Sequence, residues 1–91
     1  YMLFQSLIDA GVRAGIDRGT ATKVVYQTIA GSMEVFKTRQ VPPYELINQA
    51  STPGGISIES LYTLETYAFK AGIMEAVDSA INRAVELSRP V

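Results

Sequence analysis

Asp17-Arg18-Gly19-Thr20-Ala21-Thr22-Lys23-Val24-Val25-Tyr26-Gln27-Thr28-Ile29-Ala30-Gly31-Ser32-Met33-Glu34-Val35-Phe36-Lys37-Thr38-Arg39-Gln40 is the stretch on which the fold depends. Ala21, Val24, Val25, Thr28, Ile29, Ser32, Val35 and Phe36 recur at three- and four-residue steps, the period of one helix face. Asp17 stands where a side-chain oxygen can cap the first turn. Arg18, Lys23, Glu34, Lys37 and Arg39 fall mostly on the other side. The helix this predicts is roughly 35 Å long, more than a small domain needs across its core. Gly31 in its interior predicts a close crossing by another backbone.

Shorter helices are predicted on both sides. Residues 1 to about 15 place Leu3, Phe4, Leu7, Ile8, Gly11, Val12 and Gly15 on helical steps. Only Gln5, Ser6, Asp9 and Arg13 break the apolar girth, as in a helix surrounded by others. Gly11 and Gly15 cost helix propensity, which points to close approach, with Gly15 also ending the helix. After the long helix, Val41-Pro42-Pro43 is a break. The second proline suits the first turn of a short helix from Tyr44 to about Ala50. A fourth helix is predicted from about residue 55 to 67. A fifth runs from about 70 to 88 on Ile73, Val77, Ala80, Ile81 and Ala84, with Ala76, Ala80 and Ala84 forming a smooth packing ridge. The class is all-α with about five helices, in one domain over residues 1–91.

The chain has 91 residues, a net charge of −1, 47% apolar residues and neither Cys nor His. Disulfides, thiolate or imidazole metal sites and Ser-His or Cys-His nucleophile pairs are therefore outside its means. Scattered Lys and Arg do not make a nucleic-acid surface. No apolar run approaches the roughly 18 residues of a membrane span, and no signal-peptide pattern stands out. These features lead to an expected cytoplasmic location and no membrane partner. Long helices that are apolar on more than one side would leave large patches uncovered in a lone chain, and such patches usually mark interfaces. Interleaved helices of a homodimer resolve that expectation, and such dimers often lack a stable monomer. The opening Tyr1-Met2-Leu3-Phe4, apolar from the start and without a cap, suggests a piece of a longer protein.

Catalytic groupings are sparse. Glu59 and Glu65 do not share a helix face well. Glu75 and Asp78 can meet at three-residue spacing, but a solvated face is the simpler reading. Tyr26, Tyr44, Tyr62 and Tyr67 are spread out and read as packing residues. Arg13 and Arg83 read as partners in surface ion pairs. What remains is Ser51-Thr52-Pro53-Gly54-Gly55-Ile56-Ser57, where turn residues, hydroxyls and a helix start coincide. A helix start offers unpaired N–H groups to an anion such as a carboxylate. A tight turn followed by a cap accounts for the same residues, and at the level of residue chemistry both readings stand.

An ordered series along the whole chain resembles the C-terminal helical domain of the pyrroline-5-carboxylate reductase family. It comprises Asp9-Ala10-Gly11-Val12-Arg13 with Gly15, Gln27-Thr28 with Gly31, Glu45-Leu46, Thr52-Pro53-Gly54-Gly55, Leu64-Glu65, Phe69, Ala76-Val77, Ala80, Arg83 and Glu86-Leu87. No single piece is specific; the series is. The resemblance implies reduction of 1-pyrroline-5-carboxylate to proline with NADPH or NADH. It implies a separate N-terminal Rossmann domain for the nucleotide, and so no cofactor-binding residue in this chain; no ligand pattern in the residues points to a metal site either. It also implies an intertwined helical homodimer that can assemble further into rings.

By position, Thr52, Gly54, Gly55, Ile56 and Ser57 would bind the imino acid substrate. The N–H groups of Gly55 and Ile56 would receive its carboxylate. Ser57 would be the catalytic hydroxyl near the ring nitrogen, and Thr52 would hold loop and substrate. The family usually carries a small residue or Thr at position 56 and Thr at 57. A Gly-Gly pair often stands in place of Tyr67-Ala68, and His and Asp are frequent at positions 42 and 48. These departures keep two alternatives in view, a paralogue with a changed substrate and a non-enzymatic helical dimer module.

Overall fold

A computed structural model describes residues 1–90; Val91, the last residue of the expected domain, lies outside the described residues. Among these residues there are five α-helices and no strand: α1 (Met2–Arg13), α2 (Arg18–Arg39), α3 (Pro43–Ala50), α4 (Ile56–Thr66) and α5 (Phe69–Ser88). The all-α reading holds, with boundaries within about two residues of those expected from periodicity. The chain divides into two units, residues 1–46 and 47–91, with the boundary inside α3.

In the first unit α1 packs on α2. The two helices approach at Gly11, where an added Cβ would come 3.2 Å from the Ala21 Cβ. Ala21 and Ile8, at 2% and 6% exposure, are the buried apolar residues among those described. The turn between the helices is closed by the backbone. Gly15 takes a φ of +103°, its N–H donates to the Val12 carbonyl, and the Ile16 N–H donates to the Gly11 carbonyl, each at 3.0 Å. This paired arrangement satisfies the last carbonyls of α1 and uses glycine where a left-handed residue is required. Asp17 then caps α2: its carboxylate accepts from the Thr20 N–H at 3.0 Å and from the Thr20 hydroxyl at 2.6 Å. The Thr20 hydroxyl, and then its N–H, hold the Asp17 pKa below the ordinary aspartate value. Across the helices, Arg18 donates to Asp9 at 2.9 Å, and Gln5 donates to the same oxygen at 3.0 Å. The Arg18 hydrogen bond is the main cause of the lowered Asp9 pKa.

The long helix ends at Gln40, which is left-handed at φ 52° and donates its N–H to the Phe36 carbonyl. Val41 and Pro42 follow, and Pro43 opens α3 as its fixed φ allows. The crossing expected at Gly31 is not seen among the described residues: beyond the helix's own nearby backbone, none of their atoms lies within 4 Å of a Cβ placed there. A small residue shows that a helix face permits close approach; it does not show which chain approaches.

In the second unit α4 packs on α5, and no residue of either helix is buried. The Ala76, Ala80 and Ala84 ridge is exposed along with Ile73, Met74, Val77, Ile81 and Val85. Tyr67 and Ala68 join the helices. Ala68 adopts φ +54° and donates its N–H to the Glu65 carbonyl at 3.1 Å, so the turn keeps a left-handed residue without a glycine. Many hydroxyls in both units are folded back onto their own helix. Ser6, Thr22, Thr28, Ser51, Ser60, Thr63 and Thr66 each donate to the carbonyl four residues earlier.

Candidate functional site

Thr52-Pro53-Gly54-Gly55 forms the turn before α4. The Gly55 N–H donates to the Thr52 carbonyl at 3.0 Å, and Gly54 has φ +67°. Proline at the second position and a left-handed glycine at the third follow the pattern of a type II turn. At Gly55 the constraint is space rather than φ. A Cβ there would collide with Thr52 Oγ1 and lie 3.3 Å from the Thr52 carbonyl oxygen. Pro53 sets the entry and both glycines make the path possible.

Gly55 enters α4 in an extended conformation and supplies no side-chain cap. The earliest bond into the helix runs from the Glu59 N–H to the Gly55 carbonyl at 3.4 Å. Among the described residues, the N–H groups of Ile56, Ser57 and Ile58 therefore have no acceptor. Three aligned donors at the positive end of a helix dipole favour an anion. Of the donors expected for a carboxylate, Ile56 has its N–H available, while that of Gly55 is already used by the turn. The Ser57 N–H adjoins it on the first turn.

The side chains divide around α4 into two grooves. The first, about 640 Å³, is lined by Gly54, Gly55, Ile56, Glu59, Ser60, Thr63 and Leu64. The second, about 570 Å³, brings Ser57 together with Ser51, Leu61, Glu65, Phe69 and Lys70. Ile56, Ser60 and Leu64 border both; at four-residue spacing they form the ridge between the grooves. Thr52 lines neither groove and acts through the turn. Glu59 and Glu65 face different grooves, as their spacing predicted. Glu59, Ser60 and Thr63, three, four and seven residues after Ile56, lie on its side of the helix beside the loop.

The hydroxyls along α4 are not equivalent. Ser60, Thr63 and Thr66 donate to the carbonyls of Ile56, Glu59 and Tyr62 at 3.1, 3.2 and 3.0 Å. Ser57, in the first turn, has no such bond, so its hydroxyl and its N–H are both available at the same helix end. No group of three His, Cys, Asp or Glu residues gathers among the described residues. No helix there is long and apolar enough to cross a membrane.

With this geometry in place, the sequence matches, over residues 1–87, the family described as pyrroline-5-carboxylate reductase dimerisation. The chain belongs to that family. Membership implies homodimerisation, which agrees with the uncovered apolar faces of α2 and α5. Among relatives, the pyrroline-5-carboxylate reductase of Synechocystis sp. is 34% identical over 97% of this chain and 33% of its own length. That of Thermus thermophilus is 35% identical over 91% of this chain and 31% of its own. The crystal structure of Plasmodium falciparum pyrroline carboxylate reductase, with NADP bound, superposes with a TM-score of 0.94 at 38% identity. It is matched over 98% of this chain and 36% of that one. The chain thus spans about a third of the length of the reductases it matches.

Proposed function

We propose that this chain is the dimerisation and substrate-loop part of a reductase that converts 1-pyrroline-5-carboxylate to proline with NADPH or NADH. The observation that carries this reading is the start of α4, where the free N–H groups of Ile56 and Ser57 stand beside a Ser57 hydroxyl with no helix acceptor. The amides would hold the substrate carboxylate and fix the ring. The hydroxyl would then face the imine nitrogen and pass a proton to it as the C=N bond is reduced. Thr52, Pro53, Gly54 and Gly55 set the direction of those donors.

The nicotinamide supplies the hydride. A dinucleotide cradle of the strand, glycine-rich turn and helix type does not form here, because the described residues contain no strand. This chain's share is therefore to bind, orient and protonate. On its own it is expected to be a dimer without reductase activity. Sedimentation of a folded monomer would remove the interleaving, and NADPH oxidation by this chain alone would overturn the division of labour.

The deciding experiment is Ser57→Ala in the reductase that carries this domain. Turnover should fall by about a hundredfold, the lower range for loss of a positioned proton donor, while the melting temperature stays nearly constant. Unchanged turnover would refute the role of Ser57.

A further inference from the structure

We propose that the Ile56 side chain is the ring-size filter of the substrate site, selecting a five-membered cyclic imine carboxylate against its six-membered homologue. The inference rests on the reading that the α4 start receives the substrate carboxylate, and it assigns the side chain of a residue so far used only through its amide.

Three observations meet at Ile56. It is 88% exposed, and apart from the terminal Tyr1 no large apolar side chain among the described residues is more so. It is the first residue of α4, so its N–H is one of the unpaired donors. Its side chain stands on the ridge shared by the two grooves that flank the helix start.

Covalent geometry says what that contact is once the amide is occupied. An oxygen accepting from the Ile56 N–H at about 2.9 Å lies only about 4 Å from the Ile56 Cβ, which hangs from the adjoining Cα. A ligand carboxylate on this donor therefore brings the carbon that bears it, and the ring attached to that carbon, against the isoleucine branches. The side chain cannot turn out of the way freely, because β-branching leaves one strongly preferred χ1 in a helix. Behind it, the backbone is tied by the Gly55 N–H, which donates to the Thr52 carbonyl at 3.0 Å. A stiff apolar wall on a fixed backbone tolerates ring methylenes and resists one more of them.

The test uses the reductase that carries this domain, with 1-pyrroline-5-carboxylate and the six-membered 1-piperideine-6-carboxylate as paired substrates. One methylene in an apolar pocket is worth roughly tenfold or more in kcat/KM. Ile56→Ala should raise the six-to-five ratio of kcat/KM by about tenfold. Ile56→Val, which removes a single methyl and serves if the alanine variant folds poorly, should move the ratio part of the way. If the wild-type enzyme reduces the five-membered imine and neither variant changes the ratio, the filter is wrong and the carboxylate site survives. If the variants change dimer dissociation but not the ratio, Ile56 packs on a protein surface and the filter is again wrong. If the wild-type enzyme reduces neither compound, the proposed function fails and the filter with it.

Discussion

The junction between α1 and α2 and the junction leading into α4 are both short turns built around glycine, yet they treat the following helix in opposite ways. At the first, Gly15 and Ile16 close the end of α1, and Asp17 accepts from Thr20 to cap α2. At the second, Gly54 and Gly55 shape the turn, the Gly55 N–H closes it, and the first donors of α4 are left without acceptors. The first junction adjoins Ile8 and Ala21, the buried residues among those described; the second leads into α4, which with α5 buries none. A capped turn beside a buried contact serves stability. An uncapped turn leaves the first donors of its helix open, as the proposed carboxylate site requires, while the Gly55 N–H still closes the loop.

This contrast can be broken by experiment. The largest expected effect is Ile8→Ala, which removes most of the apolar packing of the first junction and should cost about 2–5 kcal/mol. Chemical denaturation at fixed protein concentration measures it, and a cost near zero would mean that the first unit does not depend on its own contact. Gly55→Ala acts on the second junction. The clash with Thr52 should displace the α4 donors and lower turnover of the reductase by about a hundredfold, with a much smaller change in melting temperature. Equal losses of both would make the loop a structural turn.

Ala68→Gly tests strain in the second unit. A left-handed alanine costs about 1 kcal/mol, and glycine should recover most of it as a gain in denaturation midpoint. The smallest effect is on pH. Asp9 and Asp17 have carboxyls held below the ordinary aspartate value by Arg18 and Thr20 respectively. Their folded pKa values are depressed, so their contribution is present above the unfolded value of about 4 and is lost as pH falls through the folded values. A thermal melting series from about pH 6 to pH 3 should show a decline that is shallower in Asp17→Asn.

Much of this was legible in the sequence because it is local. Asp17 three residues ahead of Thr20, a proline at the first position of α3, and the three- and four-residue steps of α2 each depend on near neighbours only. The same holds for Pro53-Gly54-Gly55, whose residue types dictate the turn. What the residues alone did not give was how donors are allotted. Gly55 and Ile56 looked equivalent as carboxylate donors, and only the turn shows that the Gly55 N–H is already engaged. Gly31 and the alanine ridge of α5 were legible as places for close contact but not for its origin, since small side chains carry no mark of the chain that meets them. Ala68 is a third case. A left-handed residue is expected to be glycine, and the i→i−3 bond to Glu65 holds alanine in that conformation instead.

The back-bonded hydroxyls have a consequence for assembly. A serine or threonine that must find an acceptor outside its helix loses hydration when another surface covers it, and the loss is felt unless the partner supplies a matching group. Ser60, Thr63 and Thr66, together with Thr22 and Thr28 in α2, already donate to carbonyls of their own helices. They can be buried with methyl and methylene groups outward and no donor left unmet. The faces of α2 and α4 that look partly polar in the sequence are, for the purpose of desolvation, nearly as ready for burial as the aliphatic positions between them.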